Sequence, residues 1–287
     1  MFAALTHRVT GATQPLSYEK KNSLETHWHS LGARNVQLWP VPVTQRLHDW
    51  SSDTWCTWAV LGLPCCCIVR DDGVYIVYMD GSIRVWRDQP FTLQTPQRNR
   101  RLRDNTCTLV GTLTVQCDGQ TATGIAAGTL PPIHWYNAPL VFVARDCVEW
   151  NGTNITHMQL QDRLIALKTL ISGVDPTYPP PVHVQNDSLQ CRMSPYIASS
   201  QRLACSRDIP PDMRTLPTHG FYCATVNTAW EWSPPLLWSK YSDAFYYTHD
   251  GTLYCGRTSC GPAHGCIAHT HTQIVHMEEA RGAMPDL

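Results

Sequence analysis

Trp39-Pro-Val-Pro-Val-Thr44 opens the stretch whose reading decides the fold, and Asp71-Asp-Gly-Val-Tyr-Ile-Val-Tyr-Met-Asp-Gly-Ser-Ile-Arg-Val-Trp-Arg-Asp88 closes it. Between them run His48-Asp-Trp-Ser-Ser-Asp-Thr-Trp-Cys-Thr-Trp58 and Ala59-Val-Leu-Gly-Leu-Pro-Cys-Cys-Cys-Ile-Val69. Residues 74–79 and 82–87 are rich in β-formers and flank Asp80-Gly81, a two-residue hairpin signal of type I′. The run 57–69 precedes a second Asp-Gly, at Asp72-Gly73. This pattern predicts a three-stranded antiparallel meander. Trp50, Trp55, Trp58 and Trp86 would line one of its faces, each burying a large ring while needing one partner for its indole N–H.

Working outward, Pro40 and Pro42 force an extended backbone, so Trp39–Pro42 reads as an edge strand or a polyproline strap. Residues 1–38 are polar, mixed and weakly periodic, and read as a loosely ordered arm. Downstream, Pro90 and Pro96 break the pattern, and Arg98, Arg100, Arg101 and Arg103 place four arginines in six positions. Such a run binds RNA, acts as an import signal, or is a solvated loop. Thr106–Thr129 alternates apolar residues with threonines and predicts a hairpin turning at Asp118-Gly119. Leu140–Ala144 is a strand, and Asn151-Gly152 marks a turn. A helix is predicted over 156–172, where Leu160, Leu164, Leu167, Leu170 and Ile171 recur at helical spacing before Gly173.

Pro176–Pro181 is a stiff linker. Residues 244–255 form a second Asp-Gly hairpin, at Asp250-Gly251, after a stretch containing Trp230, Trp232 and Trp238. Its echo of residues 79–87 raises a duplicated β module, although any two Asp-Gly hairpins look alike. The fold class expected is α+β, mostly antiparallel hairpins and meanders with few helices. Its parts are an arm at 1–38, a Trp/Cys-rich module at 39–135, and a second β-rich module at 136–287.

The 287 residues suffice for a sizeable core. With 43% hydrophobic and 16% charged residues, a disordered acidic or basic chain is excluded. A formal charge of −1 gives no global field for nucleic acid or an anionic membrane. The N-terminus lacks a secretory pattern and no apolar run reaches bilayer length, so cytoplasm, with nuclear access, is the expected compartment. Thirteen cysteines, an odd number that includes Cys65-Cys66-Cys67, do not read as a fully paired framework. The triplet reads as small, reduced, buried strand residues. The sequons at Asn151, Asn154 and Asn186 read as chance matches.

The sharpest chemical constellation is Cys255, Cys260, Cys266 and His269, among His264 and His271. Thiolates and imidazole suit one structural zinc, and Gly256, Gly261 and Gly265 allow tight turns; the alternative is a loop of incidental Cys and His. No deaminase or His-Glu-x-x-His pattern appears, and no Gly-rich phosphate loop. Cys56 with His48 and Asp49 or Asp53 is the one nucleophilic triad to be assembled, and would make a cysteine hydrolase.

The segments Trp39-Pro-Val-Pro-Val, Trp50-Ser-Ser-Asp-Thr-Trp-Cys-Thr-Trp58 and Val85-Trp-Arg87 resemble the Bet/Bel accessory proteins of foamy viruses, in texture rather than in a catalytic signature. That resemblance implies a non-enzymatic protein of the host cytoplasm. It would bind host APOBEC-family cytidine deaminases and sequester them without degradation, as a restriction-factor antagonist. Trp50, Trp55, Trp58 and Trp86 would form the contact patch, unless they are core. The rival readings are a zinc-stabilised regulatory protein that binds nucleic acid through Arg98–Arg103, and the cysteine hydrolase.

Overall fold

The computed structural model describes residues 2–33, 41–42, 53–78, 81–87, 106–127, 138–172, 189–198, 209–232, 236–239, 244–249 and 252–257. In chain order they form α1 (Phe2–Ala12), β1 (Thr13–Pro15), α2 (Tyr18–Ser30), β2 (Val41–Pro42), β3 (Thr54–Val60), β4 (Leu63–Arg70), β5 (Gly73–Val77) and β6 (Ile83–Trp86). Then follow β7 (Cys107–Val115), α3 (Gly119–Ala126), β8 (Leu140–Trp150), β9 (Thr153–Asn154), α4 (Leu160–Ser172), β10 (Leu189–Met193) and β11 (Tyr196–Ala198). The last are α5 (Pro211–Arg214), β12 (Thr218–Thr225), β13 (Leu236–Ser239), β14 (Ala244–His249) and β15 (Thr252–Arg257). The fold is α+β and mostly antiparallel, as expected.

The main sheet runs β1-β6-β5-β4-β7-β8-β10, with β9 on β8; the second runs β11-β3-β12-β13-β2. The meander is thus β4-β5-β6. The apolar run 57–69 is two strands, not one: β3 lies in the second sheet and β4 in the main sheet. The break falls at Leu61-Gly62, where a Cβ on Gly62 would lie 2.0 Å from the Leu113 carbonyl oxygen. Leu61 N–H donates to Pro217 O at 2.8 Å, and Thr114 Oγ1 to Leu61 O at 2.6 Å. A second crossing takes β10 to β11, where Thr57 Oγ1 donates to Ser194 Oγ at 2.7 Å and Ser194 Oγ to Trp58 O at 3.2 Å. Both sheets draw strands from either side of residue 135.

The turn chemistry differs in detail from the sequence reading. In the first turn Arg70 pairs with Gly73, so Asp71-Asp72 occupy the corner. In the second, Tyr78 N–H donates to Ser82 O at 2.9 Å, with Gly81 at φ 77°, a three-residue connection. Asn151 (φ 49°) and Gly152 (φ 72°) make the turn predicted for them, both in the left-handed region. Asp118 does not turn a hairpin. Its carboxylate accepts from Gln120 N and Thr121 N, each at 3.0 Å, and caps α3.

The loosely ordered arm is corrected too. Ser17 caps α2 by accepting from Lys20 N at 3.4 Å, and Leu24, Trp28 and Leu31 recur one turn apart on a buried stripe. They pack on Cys66, Ile68, Tyr75, Val77 and Val110 of the main sheet. The alternate residues Cys65, Cys67, Ile76, Leu109 and Phe142 pack with α1 (Leu5, Val9) and α4 (Leu160, Leu164, Leu167). Period-two alternation along each strand therefore supplies two cores. A third joins Val141 and Val143 of β8 to Cys56, Trp58 and Phe221 of the second sheet.

Candidate functional site

β8 carries charge through the middle of the molecule. Its sequence Leu140-Val-Phe-Val-Ala-Arg-Asp-Cys-Val-Glu-Trp150 sets Arg145, Asp146 and Glu149 in an otherwise apolar strand, and all three are buried. The register against β7 explains how they fit. Gly111 pairs with Ala144 and Val110 with Asp146, so Arg145 is the extra residue of a bulge. Glycine is needed at 111, because a Cβ there would lie 2.3 Å from Val143 O and 3.0 Å from Ala144 Cα.

Asp146 and Arg163 saturate one another. Arg163 donates from Nε to Oδ1 at 3.1 Å and from Nη2 to Oδ2 at 3.0 Å. Its Nη1 donates to Met158 O and to Thr228 O, and its guanidinium lies 5.7 Å from the Trp230 ring centroid. Burial pushes the Asp146 carboxyl up, while the Arg163 charge and hydrogen bonds and the Cys147 N–H draw it back. This pair ties α4 to β8.

Glu149 is also satisfied. It is 2% exposed and accepts from Thr108 Oγ1 at 2.6 Å and from Arg70 Nη2 at 3.1 Å, while His27 Nε2 of α2 lies at 3.1 Å. Burial would raise its carboxyl, but the contacts with His27 and Thr108 and the Arg70 charge outweigh it and hold the group below its usual range.

Arg145 is different. It is 6% exposed, yet its Nε and Nη2 atoms are buried with no hydrogen-bond partner. The guanidinium lies 5.0 Å from the Tyr222 ring centroid, where β8 meets the second sheet, within cation–π range. Tyr196 donates its hydroxyl to the Arg145 carbonyl at 3.0 Å, and the Thr112 and Tyr222 hydroxyls are hydrogen-bonded. Burial raises the Tyr222 phenol above its ordinary range. The adjacent carboxylate, Asp146, is held by Arg163, so two guanidinium groups share one carboxylate here. A guanidinium stays charged inside a protein, and its planar fork of donors matches an oxyanion. The arrangement leaves one buried positive charge and unused donors facing the sheet junction.

The residues singled out by sequence lie elsewhere. Trp58 and Trp86 are buried in different sheets, Trp58 with its ring 5.5 Å from that of Phe221. Trp55 is partly buried against the main core. These tryptophans form no common face, and Trp50 lies outside the described residues. Cys56 is fully buried with its sulfur 3.5 Å from that of Cys223, with no surface open to a hydrolase substrate; His48 and Asp49 lie outside the described residues and Asp53 is exposed. Arg98, Arg100, Arg101, Arg103, Cys260, Cys266 and His269 also lie outside them, and Cys255 is described only as a backbone position of β15 opposite Tyr246. Among the described residues no group of three or more His, Cys, Asp or Glu is placed to hold a metal ion. Burial drives the Cys65 thiol up to about 12 and those of Cys66 and Cys67 well above their usual range, as inert strand residues. Sequence reasoning missed Arg145; its signal was the charged pair Arg145-Asp146 interrupting a run of apolar strand residues.

No family model and no curated protein sequence matches the chain. Solved structures that resemble it include a mycobacterial DNA ligase D complexed with ATP and MES, at 15% identity and TM-score 0.46, covering 71% of this chain and 60% of that one. The ligase domain of Mycobacterium tuberculosis LigD follows at 16% identity and TM-score 0.44, with 68% and 55% covered. A Chlorella virus DNA ligase–adenylate gives 12% identity and TM-score 0.40, with 79% and 84% covered. The chain therefore spans less than two thirds of the first two. These matches are DNA ligases, and they correct the expectation of a non-enzymatic accessory protein that sequesters APOBEC-family deaminases. At TM-scores below 0.5 they assign no activity to this chain in its place. No helix among the described residues is long and apolar enough to cross a membrane.

Proposed function

We propose that the chain binds a phosphate-bearing ligand at the junction of its two sheets, with Arg145 as the anchor. The observation that carries this reading is the pair of buried, unpartnered donors on Arg145. Burying a charge without partners costs several kcal/mol, a large share of the about 5–15 kcal/mol that holds a typical domain together. Stability alone gives no reason to retain that cost, whereas an incoming oxyanion would satisfy the fork and neutralise the charge together. Tyr222 covers the guanidinium, so entry of the ligand displaces that ring and breaks its contact with Thr112.

The test compares thermal unfolding of the wild type, R145M and R145K with and without inorganic pyrophosphate, with citrate as a carboxylate control. Pyrophosphate raises the wild-type midpoint in a saturable way, R145K responds less, and R145M does not respond. Without ligand, R145M unfolds at or above the wild-type midpoint, because an apolar side chain replaces a buried unsatisfied charge. An equal response of wild type and R145M to pyrophosphate overturns the reading. A response to citrate alone assigns the site to carboxylates and overturns the phosphate part.

We also propose one structural zinc held by Cys255, Cys260, Cys266 and His269. Its support is the ligand chemistry of that run, with Cys255 inside the hairpin strand Thr252–Arg257 that precedes the other three residues. Elemental analysis of chelator-free protein gives one zinc per chain, lost in C260S; a zinc content below a tenth per chain contradicts it.

A further inference from the structure

We infer that Cys56 and Cys223 form an oxidation site, a pair of buried thiols built to close into a disulfide across the middle of the second sheet. They face one another in register on β3 and β12, and their sulfurs are 3.5 Å apart. Directly opposed antiparallel residues have Cα atoms about 4.5–5.5 Å apart, inside the range of about 4.4–6.8 Å that a disulfide spans. Bringing the sulfurs to bonding distance, about 2.04 Å, takes side-chain rotation rather than strand movement. Cys65, Cys66 and Cys67, adjacent on one strand, alternate between its two faces and cannot close onto one another in this way.

Access decides which oxidant serves. Cys56 is 0% exposed and Cys223 7%, in a core with Trp58, Val141, Val143 and Phe221. That burial bars a bulky oxidant such as oxidised glutathione, and leaves a small hydroperoxide meeting Cys223, the less enclosed of the two, as the co-reactant the inference requires. The Cys223 sulfur attacks one peroxide oxygen, the O–O bond breaks, and the products are a sulfenic acid and water. The Cys56 sulfur then attacks the sulfenic sulfur, forms the S–S bond and expels the hydroxyl as a second water. Two thiols are oxidised and one hydrogen peroxide is reduced to two waters. The bond joins positions 167 residues apart. It pins β3 to β12 without requiring a ligand at Arg145, so it stands independently of the anion reading.

Folded full-length protein is treated with hydrogen peroxide, quenched by alkylation in denaturant and digested without reduction for mass spectrometry. The expected product is a linked pair of peptides carrying Cys56 and Cys223, two hydrogens lighter than their sum. Its yield rises with peroxide, and its formation raises the unfolding midpoint. No such link forms in C223S or C223A, and oxidised glutathione adds no glutathione to either position. The half-buried Cys117 serves as the control for peroxide exposure. Oxidation of Cys117 with Cys56 and Cys223 both recovered as separately alkylated thiols overturns the inference. So does a link from Cys56 to another cysteine that persists undiminished in C223S.

Discussion

Arg145 of β8 and Arg163 of α4 are both buried, at 6% and 3% exposed, and both lie beside Asp146, but only one is saturated. Arg163 spends its donors on both oxygens of Asp146 and on two carbonyls. Arg145 has an aromatic ring and two unused nitrogens. The Arg163–Asp146 pair joins a helix to a strand, whereas the unmet donors of Arg145 are what the proposed oxyanion would satisfy. The contrast separates architecture from function within nineteen residues of sequence, from Arg145 to Arg163.

The comparison breaks first at Arg163. R163M leaves Asp146 as an uncompensated buried carboxylate, and denaturant unfolding shows a loss of about 3–5 kcal/mol. R145M, its counterpart, loses nothing. Equal destabilisation by both substitutions would erase the distinction.

Glu149 sharpens it from the acid side. Its folded carboxyl lies below the ordinary value of 4.5, held there against burial by His27, Thr108 and Arg70. The stability it contributes is therefore full above that value and is lost as pH falls through the folded value. E149Q lowers stability at neutral pH by about 1.5–3 kcal/mol, the worth of hydrogen bonds to a charged group. It also flattens the fall in unfolding midpoint below pH 4.5. An unchanged acid slope in E149Q would mean that another carboxylate controls it.

Gly111 gives the smallest effect. G111A drives a Cβ against Val143 O, Phe142 Cζ and Ala144 Cα, next to the bulge at Arg145, at about 1–3 kcal/mol. Because the bulge aims Arg145, the same substitution weakens the pyrophosphate response by more than its loss of stability accounts for. A weakened fold with an intact ligand response would show that the bulge only packs.

The meander, the strand beginning at Leu140, the Asn151-Gly152 turn and the helix, predicted over 156–172 and found over Leu160–Ser172, were legible, because each rests on local periodicity or a turn signal. Sheet membership was not. Residues 57–69 are apolar without interruption, and nothing in a two-residue period says that Leu61-Gly62 passes from one sheet to another. Asp118-Gly119 was misread because aspartate before glycine serves a hairpin turn and a helix N-cap alike; the intrahelical donors at Gln120 and Thr121 decide it. In α2 the sequence did hold the signal, with Ser17 before the first turn and Leu24, Trp28 and Leu31 at helical spacing, under a polar composition that masked it. The tryptophans were misjudged as one face because alternation along β3 and β6 cannot show that the strands lie in different sheets. Arg145 was not legible as a site at all, since its burial depends on the second sheet, whose Tyr222 ring lies against the guanidinium from far along the chain.

The most direct measurement is the arginine side-chain Nε–H resonances by NMR during titration with pyrophosphate. The account predicts a saturable shift of the Arg145 Nε–H, absent in R145M, while the Arg163 Nε–H stays fixed on Asp146. A titration in which Arg145 does not move, or in which both resonances drift together with ionic strength, would contradict it.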